Sequence, residues 1–394
     1  MRQNTRTRIQ LSFTEIFYNC CFASANFLSV FLQSLGIGAG QIGLITALTN
    51  VMNIVSQPFW GAVSDRIRSV RRSFILCIGL SGICALGIPL LAGQGSAALL
   101  PMTALLVFLY FFIMPANMLV EMWLVRVNAN PRLQISYGSV RIWASIGFAL
   151  MNLAYVPLLR HLPVRSVYYF YAAFALCAAL AASSVSEGAE VRAQQDAPRM
   201  RFRDMQFRKI LTYSVISYLI FEILFQIPFG WSNSYTVYVL NEFGLASTSF
   251  GAFTFLSGVF EVPMLLLCKR LIRRCGLAAM LVASSMLFVA QYALYASGHG
   301  LPVLLVCQAF KGFAYAIYVT CRHQYIYEIA PKGLEGSTQA VVNAAYAGVN
   351  ILSAALGGYL LQAIGVRSFF ALNASIQLLA GLFLLGSRRI AGRR

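Results

Sequence analysis

Charged side chains inside apolar segments are the residues of this sequence most able to do chemistry. Each costs on the order of 2.5 to 3.5 kcal/mol on insertion scales at the middle of a membrane helix, so its presence needs a reason. The residues concerned are Glu121, Arg141, Glu222, Glu261 and Lys311. With all five ionised, three carboxylates face two cations, and one carboxylate has no partner. Burial favours the protonated form of such an acid, which makes it a natural proton carrier.

The same charges allow a second interpretation as fixed ion pairs. Glu121 would pair with Arg141, and Lys311 with Glu222 or Glu261, only to hold helices together. Glu15 differs from these residues because it lies near the cytoplasmic end of the first apolar segment. We expect its side chain to reach water there.

Polar residues recur at spacings of three, four or seven positions in several segments, which places them on one face of each helix. Lipid does not satisfy such groups, so these faces are expected to line a common wet cavity. The alternative is that the amides form hydrogen bonds between helices. The residues with this spacing are Asn53, Ser56 and Trp60; Glu222, Gln226 and Asn233; Gln308, Lys311, Tyr315, Tyr318 and Arg322; and Gln339, Asn343, Tyr346, Asn350 and Ser353.

Twelve apolar stretches must position these side chains, and each is long enough to cross about 30 Å of hydrocarbon as a helix. They cover residues 10–34, 40–63, 73–93, 98–122, 137–159, 166–186, 211–238, 247–268, 276–297, 301–325, 336–361 and 365–387. An Arg-rich polar segment separates the sixth from the seventh. The sequence therefore predicts an all-α membrane protein with twelve transmembrane helices in two pseudo-symmetric six-helix halves. Their bounds are 1–186 for the N-terminal half, 187–209 for a cytoplasmic linker and 210–394 for the C-terminal half.

Composition supports a membrane protein. Of 394 residues, 59% are hydrophobic and only 11% are charged, whereas soluble domains average about 25% charged. The 30 Lys and Arg against 12 Asp and Glu would suggest nucleic-acid binding in a soluble chain. With both termini placed in the cytoplasm, however, 25 cations fall on the cytoplasmic side and three on the outer side. This asymmetry predicts an integral inner-membrane protein with cytoplasmic termini that contacts lipid and no nucleic acid.

Sequence patterns of enzymes and metal centres are missing. We find no GxSxG, HExxH or phosphate-binding Gly-rich loop. The nine cysteines and three histidines lack the spacing of a zinc site. We therefore expect no enzymatic activity, no metal and no cofactor, and a monomer whose partners are a small-molecule substrate and the bilayer. The energy source would be a proton gradient, with sodium as the alternative ion.

The loop after the second segment contains an acid among its basic residues, in the order Gly61, Asp65, Arg66, Arg68 and then an Arg pair. This loop, the six-plus-six layout and the basic linker resemble the major facilitator superfamily over nearly the whole chain. The loop is similar to the family pattern Gly-x-x-x-Asp-Arg-x-Gly-x-Arg-Arg, with Arg68 in place of Gly and one extra residue before the Arg pair. The resemblance implies that Gly61, Asp65 and Arg66 form a gating motif.

Within the superfamily, the segment 137–148 resembles the start of the fifth helix in the lactose permease-like proton symporters, which include sugar, nucleoside and aromatic-acid permeases. The resemblance implies that Arg141 pairs with Glu121 and binds a substrate hydroxyl, and that Phe148 replaces a sugar-stacking Trp. The substrate-binding residues expected from this comparison and from the polar faces are Glu121, Arg141, Ser145, Phe148, Asn117, Asn233 and Asn343.

The C-terminal half departs from that group, because Gln308 and Lys311 take the places of a His and a Glu on its tenth helix. Proton coupling is therefore expected to use Glu222 or Glu261 together with Lys311.

The leading hypothesis is a proton-coupled secondary active transporter that imports a small hydroxylated solute, a sugar or a nucleoside, by alternating access. A bidentate Arg suits vicinal hydroxyls, and aromatic faces suit sugar or base rings. One alternative is a proton-driven efflux antiporter for drugs or metabolites, because 29 Phe and 12 Met fit an adaptable apolar pocket. Another is a membrane receptor or scaffold that does not transport.

Overall fold

A computed structural model of the chain describes residues 2–92, 94, 98–128, 135, 137–185, 207–298, 300–332 and 334–391. All regular elements in these ranges are helices. The described chain forms two compact units: residues 1–37 and 48–197 belong to unit 1, and residues 38–47 and 198–394 belong to unit 2.

Unit 1 is built from seven helices. They are α1 (Arg2–Ala25), α2 (Leu28–Ser34), most of α3 (Ala39–Ile67), α4 (Val70–Leu91), α5 (Leu99–Asn128), α6 (Tyr137–His161) and α7 (Ser166–Ser184). Inside the unit α1 packs between α6 and α7, and α4 packs between α5 and α7. A large aromatic core, including Tyr18, Phe74 and Trp123, fills the space between them.

A glycine brings α1 and α6 close together in unit 1. A Cβ atom at Gly147 would lie 2.6 Å from the backbone oxygen of Ile16 and 2.9 Å from its Cα. Only a residue without a side chain allows this distance. The contact fixes α1 beside the helix that carries Arg141.

Unit 2 begins with the short α8 (Phe207–Ile210). The remaining helices are α9 (Tyr213–Glu242), α10 (Phe250–Cys275, after a 3-10 turn at Ser247–Ser249), α11 (Leu277–Ser297), α12 (Gly300–Ile329) and α13 (Glu335–Ala391). Here α13 packs against α9 and α11, while α12 packs against α10 and α11. Cys275, at the end of α10, is exposed, and Gly276 follows it with a φ of 81°.

A second glycine contact joins α10 to α12. A Cβ atom at Gly312 would lie 2.3 Å from the backbone oxygen of Ser257 and 2.9 Å from the backbone nitrogen of Glu261. The two helices therefore touch at the level of Glu261 and Lys311.

The described helices supply the twelve predicted crossings. By length and composition nine of them can span a membrane, or ten if the bent pair α1 and α2 is one span. At 57 residues, α13 is far longer than the roughly 20 residues that one crossing needs. Its helical geometry breaks at Gly365 (φ 76°), which leaves two segments of spanning length, 335–364 and 366–391. The 29-residue α3 is also long enough, although it is less apolar.

Two details differ from the sequence prediction. The first apolar stretch, 10–34, is interrupted between α1 and α2 and bends there by 40°. The loop expected between 361 and 365 is absent from the described chain, because Gly365 alone interrupts the helix with a positive φ that suits a residue without Cβ. The predicted linker, 187–209, lies outside the described residues except for 207–209, which begin α8.

Candidate functional site

Unit 1 contains the predicted pair of Glu121 and Arg141. The Nε atom of Arg141 lies 2.6 Å from Oε1 of Glu121, and the two side chains remain 40% and 30% exposed. Glu121 belongs to α5 and Arg141 to the first turns of α6. The carboxylate of Glu121 therefore orients the guanidinium, which remains accessible to a small molecule. The planar N–H groups of the guanidinium can donate hydrogen bonds to acceptors on that molecule.

Three of the predicted substrate-binding residues extend this accessible face. Asn117 lies one turn before Glu121, and Ser145 lies one turn after Arg141; both are exposed. Phe148, one turn further along α6, is partly buried, and its ring centroid lies 6.2 Å from that of Phe22. The face thus combines a charge pair, an amide, a hydroxyl and an aromatic pair, which are the groups that bind a polar ring.

Glu15 does not reach water, contrary to the sequence prediction. It is 1% exposed, because α1 lies between α6 and α7. Its Oε2 accepts a 3.2 Å hydrogen bond from Asn19, and its carboxylate interacts electrostatically with Arg141 and Glu121. Glu15 is therefore part of the charged cluster of unit 1.

Unit 2 contains a second pair, between Glu222 and Arg322, which is almost completely buried. The Nε atom of Arg322 lies 2.7 Å from Oε1 of Glu222, and the side chains are 9% and 0% exposed. Glu222 also accepts hydrogen bonds from the Tyr318 hydroxyl (2.7 Å), the Tyr218 hydroxyl (3.0 Å) and the Gln226 amide (3.4 Å). Both carboxylate oxygens are therefore satisfied, which is the condition under which a buried charge persists.

Arg322 is held from α13 as well. It donates a 3.0 Å hydrogen bond to Oδ1 of Asn343, and its guanidinium lies 5.2 Å from the ring centroid of Tyr346. Asn343 also accepts from Gln339 at 3.2 Å. The predicted substrate-binding residue Asn343 is thus a partner of Arg322, and the network joins α9, α12 and α13.

Glu261 and Lys311 form a third site of opposite charges, on α10 and α12. They interact electrostatically and both are partly buried. Lys311 lies eleven residues before Arg322 on the same helix, or about 16 Å along its axis. The predicted pairing of Lys311 with Glu222 is therefore wrong, because Glu222 pairs with Arg322.

Other polar residues of unit 2 have different surroundings. Asn233 is exposed on α9, three turns from Glu222, and does not join the Arg322 network. Hydrogen bonds between α9 and α13 run from Trp231 Nε1 to the Ser353 carbonyl (2.6 Å) and from the Tyr235 hydroxyl to the Ala354 carbonyl (3.1 Å). Both bonds end on backbone carbonyls, and neither involves an amide of the predicted polar faces.

Comparison with known proteins decides the family. The family model "MFS_1 like family" matches residues 9–372. The chain belongs to this family. It is 27% identical to the maltose permease of Geobacillus stearothermophilus, over 93% of this chain and 91% of that protein. It is 24% identical to the uncharacterized transporter YwbF of Bacillus subtilis (strain 168), over 88% of this chain and 84% of that protein.

The fold of this MFS transporter is similar to that of solved transporters. The crystal structure of the nucleoside transporter NupG superimposes with a TM-score of 0.81 at 15% identity, covering 97% of this chain and 98% of that one. The predicted major facilitator fold is confirmed. The chain is a multi-pass membrane transporter and not an enzyme. Among the described residues, no group of three His, Cys, Asp or Glu could hold a metal ion.

The predicted gating residues of this transporter lie at the end of α3. Asp65 and Arg66 are exposed. A Cβ atom at Gly61 would meet no heavy atom within 4 Å in the described chain, so Gly61 is not a point of close helix contact. Arg68, which replaces the Gly of the family pattern, has a φ of 56°, in the left-handed region that favours glycine.

The 25 cations counted on the cytoplasmic side included Arg322, although it also lies on a predicted polar face, and Glu15 was expected to reach water. The available signal for Arg322 was its position four residues after Tyr318 on the polar face of the tenth segment. For Glu15 the signal was Asn19, one turn later on the same helix. Counting both inside the membrane gives four acids and three cations.

Proposed function

We propose that this transporter imports a small hydroxylated solute, a sugar or a nucleoside, and that the proton gradient drives the import. The observation that carries the proposal is the accessible pair of Glu121 and Arg141, with exposures of 30% and 40%. A pair that served only to join α5 to α6 would gain little from such exposure, because solvent weakens ion pairs.

The neighbouring groups favour a neutral or hydroxylated ring over a hydrophobic molecule. Ser145 and Asn117 offer hydrogen bonds on either side of the pair, and Phe148 offers a ring face. The names of the maltose permease and of the nucleoside transporter NupG are consistent with this substrate class.

For the coupling ion, the partly buried Glu261 and Lys311 support a proton. A carboxylic acid and an amine that interact electrostatically can each change protonation state when their surroundings change, whereas Glu222 is paired with Arg322. In this proposal Glu222 stabilises unit 2, and Glu261 with Lys311 provides one protonation site. No further cofactor is required.

The excess of cations on one side supports an inner-membrane location with both termini in the cytoplasm. We also propose that the monomer is the transporting species, since each unit supplies its own polar cluster.

The test is uptake by proteoliposomes that contain the purified protein and a pH-sensitive dye. With an imposed proton gradient, maltose, xylose and uridine are offered separately, together with a hydrophobic cation as an export probe. Import of one hydroxylated solute together with protons is the expected result. Import that requires sodium instead of a proton gradient would identify sodium as the coupling ion.

A thermal-shift screen against sugars, nucleosides and aromatic acids connects substrate and site. We expect a solute that stabilises the parent protein but not Arg141→Lys. The Lys ammonium cannot donate the two parallel hydrogen bonds that a planar guanidinium donates. The contrary result is export of the hydrophobic cation in exchange for protons, at the same rate in Arg141→Lys as in the parent protein. That result would establish an efflux antiporter and refute the import proposal.

A further inference from the structure

The strongest unexplained feature is the buried carboxyl group of Glu15. It is 1% exposed, and its Oε1 has no hydrogen-bond partner among the described residues. By contrast, both oxygens of Glu222, which is equally buried, accept hydrogen bonds. A buried, unpaired oxygen is far less unfavourable when the acid carries a proton than when it is ionised.

The charges around Glu15 are unbalanced. Arg141 on α6 and Glu121 on α5 interact with it electrostatically, and Tyr18 does so from α1 itself. From α7, the remaining helix packed on α1, Tyr171 and Cys177 interact with Cys21. Within the trio of Glu15, Glu121 and Arg141, two carboxylates share one guanidinium, so one added proton neutralises the trio.

A cleft lies beside the chain neighbours of Glu15. Ser12 and Ile16, one turn before Glu15 and directly after it, line a cleft of about 430 Å³ between α1 and α6. Arg8 and Ser139 supply polar groups to the same cleft.

We propose that Glu15 is a proton-operated positioning residue for Arg141. When Glu15 is protonated, Glu121 holds Arg141 in the orientation seen here, and the guanidinium can bind a solute hydroxyl. When Glu15 loses its proton, its carboxylate attracts Arg141 and competes with Glu121. Solute affinity is therefore high in the protonated state and low after the proton leaves. The protonation of Glu15 can be tested without a solute, whereas its effect on solute affinity rests on the function proposed above.

The first measurement needs no solute. The purified protein is titrated with pH while the carbonyl stretch of protonated carboxyl groups is recorded by infrared difference spectroscopy. We expect a band from a buried acid in the parent protein, its loss in Glu15→Gln and its retention in Glu242→Gln. Glu242 is a suitable control because it is 37% exposed and paired with Arg367, far along the chain from this cluster. An unchanged band in Glu15→Gln would overturn the proposal.

Should Glu15→Gln not fold, Glu121→Gln serves instead. The band is then expected to weaken, because Arg141 is left to a single carboxylate and holds it ionised. Retention of the full band in Glu121→Gln would also count against a shared proton.

The second measurement is the affinity for whichever of maltose, xylose or uridine stabilises the parent protein. In the parent, affinity should fall about tenfold between about pH 7 and about pH 9, and in Glu15→Gln it should stay constant within about twofold. Equal pH dependence in both proteins would refute the positioning role. Failure of all three probes to bind would refute the proposed substrates and leave the infrared result standing.

Discussion

The two units both pair a glutamate with an arginine, but they treat the pair in opposite ways. In unit 1, Glu121 and Arg141 are 30% and 40% exposed. In unit 2, Glu222 and Arg322 are 0% and 9% exposed, with Tyr318, Tyr218 and Gln226 on the carboxylate. The same two functional groups thus form an accessible pair in unit 1 and a buried pair in unit 2. Exposure to solvent, rather than the pair itself, distinguishes them.

The largest effect is expected from breaking the buried pair. Glu222→Gln leaves the Arg322 guanidinium without its counter-charge, which should lower the free energy of unfolding by about 3 to 5 kcal/mol. Thermal unfolding of the detergent-solubilised protein measures this. The matched control, Glu242→Gln, breaks the exposed pair with Arg367 and should lose less than about 1 kcal/mol. Equal losses in the two variants would remove the distinction between buried and exposed pairs.

Next comes the accessible pair, where the effect should fall on transport and not on stability. Glu121→Gln is expected to reduce solute uptake by about 100-fold, or about 2.7 kcal/mol, since Arg141 loses its orientation. The free energy of unfolding should change by less than about 1 kcal/mol, because the pair is partly solvated. Proteoliposome uptake and a melting curve on the same preparation give both numbers. A stability loss as large as that of Glu222→Gln would show that unit 1 uses its pair structurally.

Substituting the glycines at the close helix contacts should have intermediate effects. In Gly147→Ala and Gly312→Ala the new methyl would meet backbone atoms at 2.6 Å and 2.3 Å. We expect each change to destabilise its unit by about 1 to 3 kcal/mol, as overpacking does. Gly348→Ala, where nothing lies within 4 Å, is the control and should be neutral or slightly stabilising. If all three variants have the same melting temperature, the close contacts do not determine helix packing.

The smallest effect concerns the two corresponding loops. Arg68 and Gly276 both have positive φ, 56° and 81°, at the ends of α3 and α10. Arg68→Gly should therefore stabilise unit 1 by at most about 1 kcal/mol, since a side chain is disfavoured in this conformation. Gly276→Ala should destabilise unit 2 by a similar amount. Thermal unfolding checks both, and the same sign for the two changes would contradict this explanation.

Much of this architecture could be predicted because hydropathy reports membrane crossing directly. The twelve apolar stretches account for the helices, with Gly365 in place of the last loop. The pairing of Glu121 with Arg141 was expected from their opposite charges inside apolar segments and from resemblance in the segment 137–148. A pattern along one helix does not say which neighbouring helix it faces.

The rest of the site depended on packing that the sequence does not contain. Arg322 lies near the end of a predicted segment, where a charge is usually solvated, and only the approach of α9 and α13 buries it. Glu15 was assigned to water because its helix was treated as an isolated span; α6 and α7 cover it on both sides. Both errors have the same origin. The prediction used the distance of a residue from the end of its helix, whereas burial depends on which neighbouring helices pack against that residue.

The distribution of the thiols has a practical consequence. Of nine cysteines, six are buried, two are partly buried and Cys275 alone is exposed. Thiols react as thiolates and need access to water, so a water-soluble maleimide should modify the unaltered chain at the end of α10 well before any other position. A fluorophore or spin label attached there would follow the motion of unit 2 during turnover, without first building a cysteine-free background.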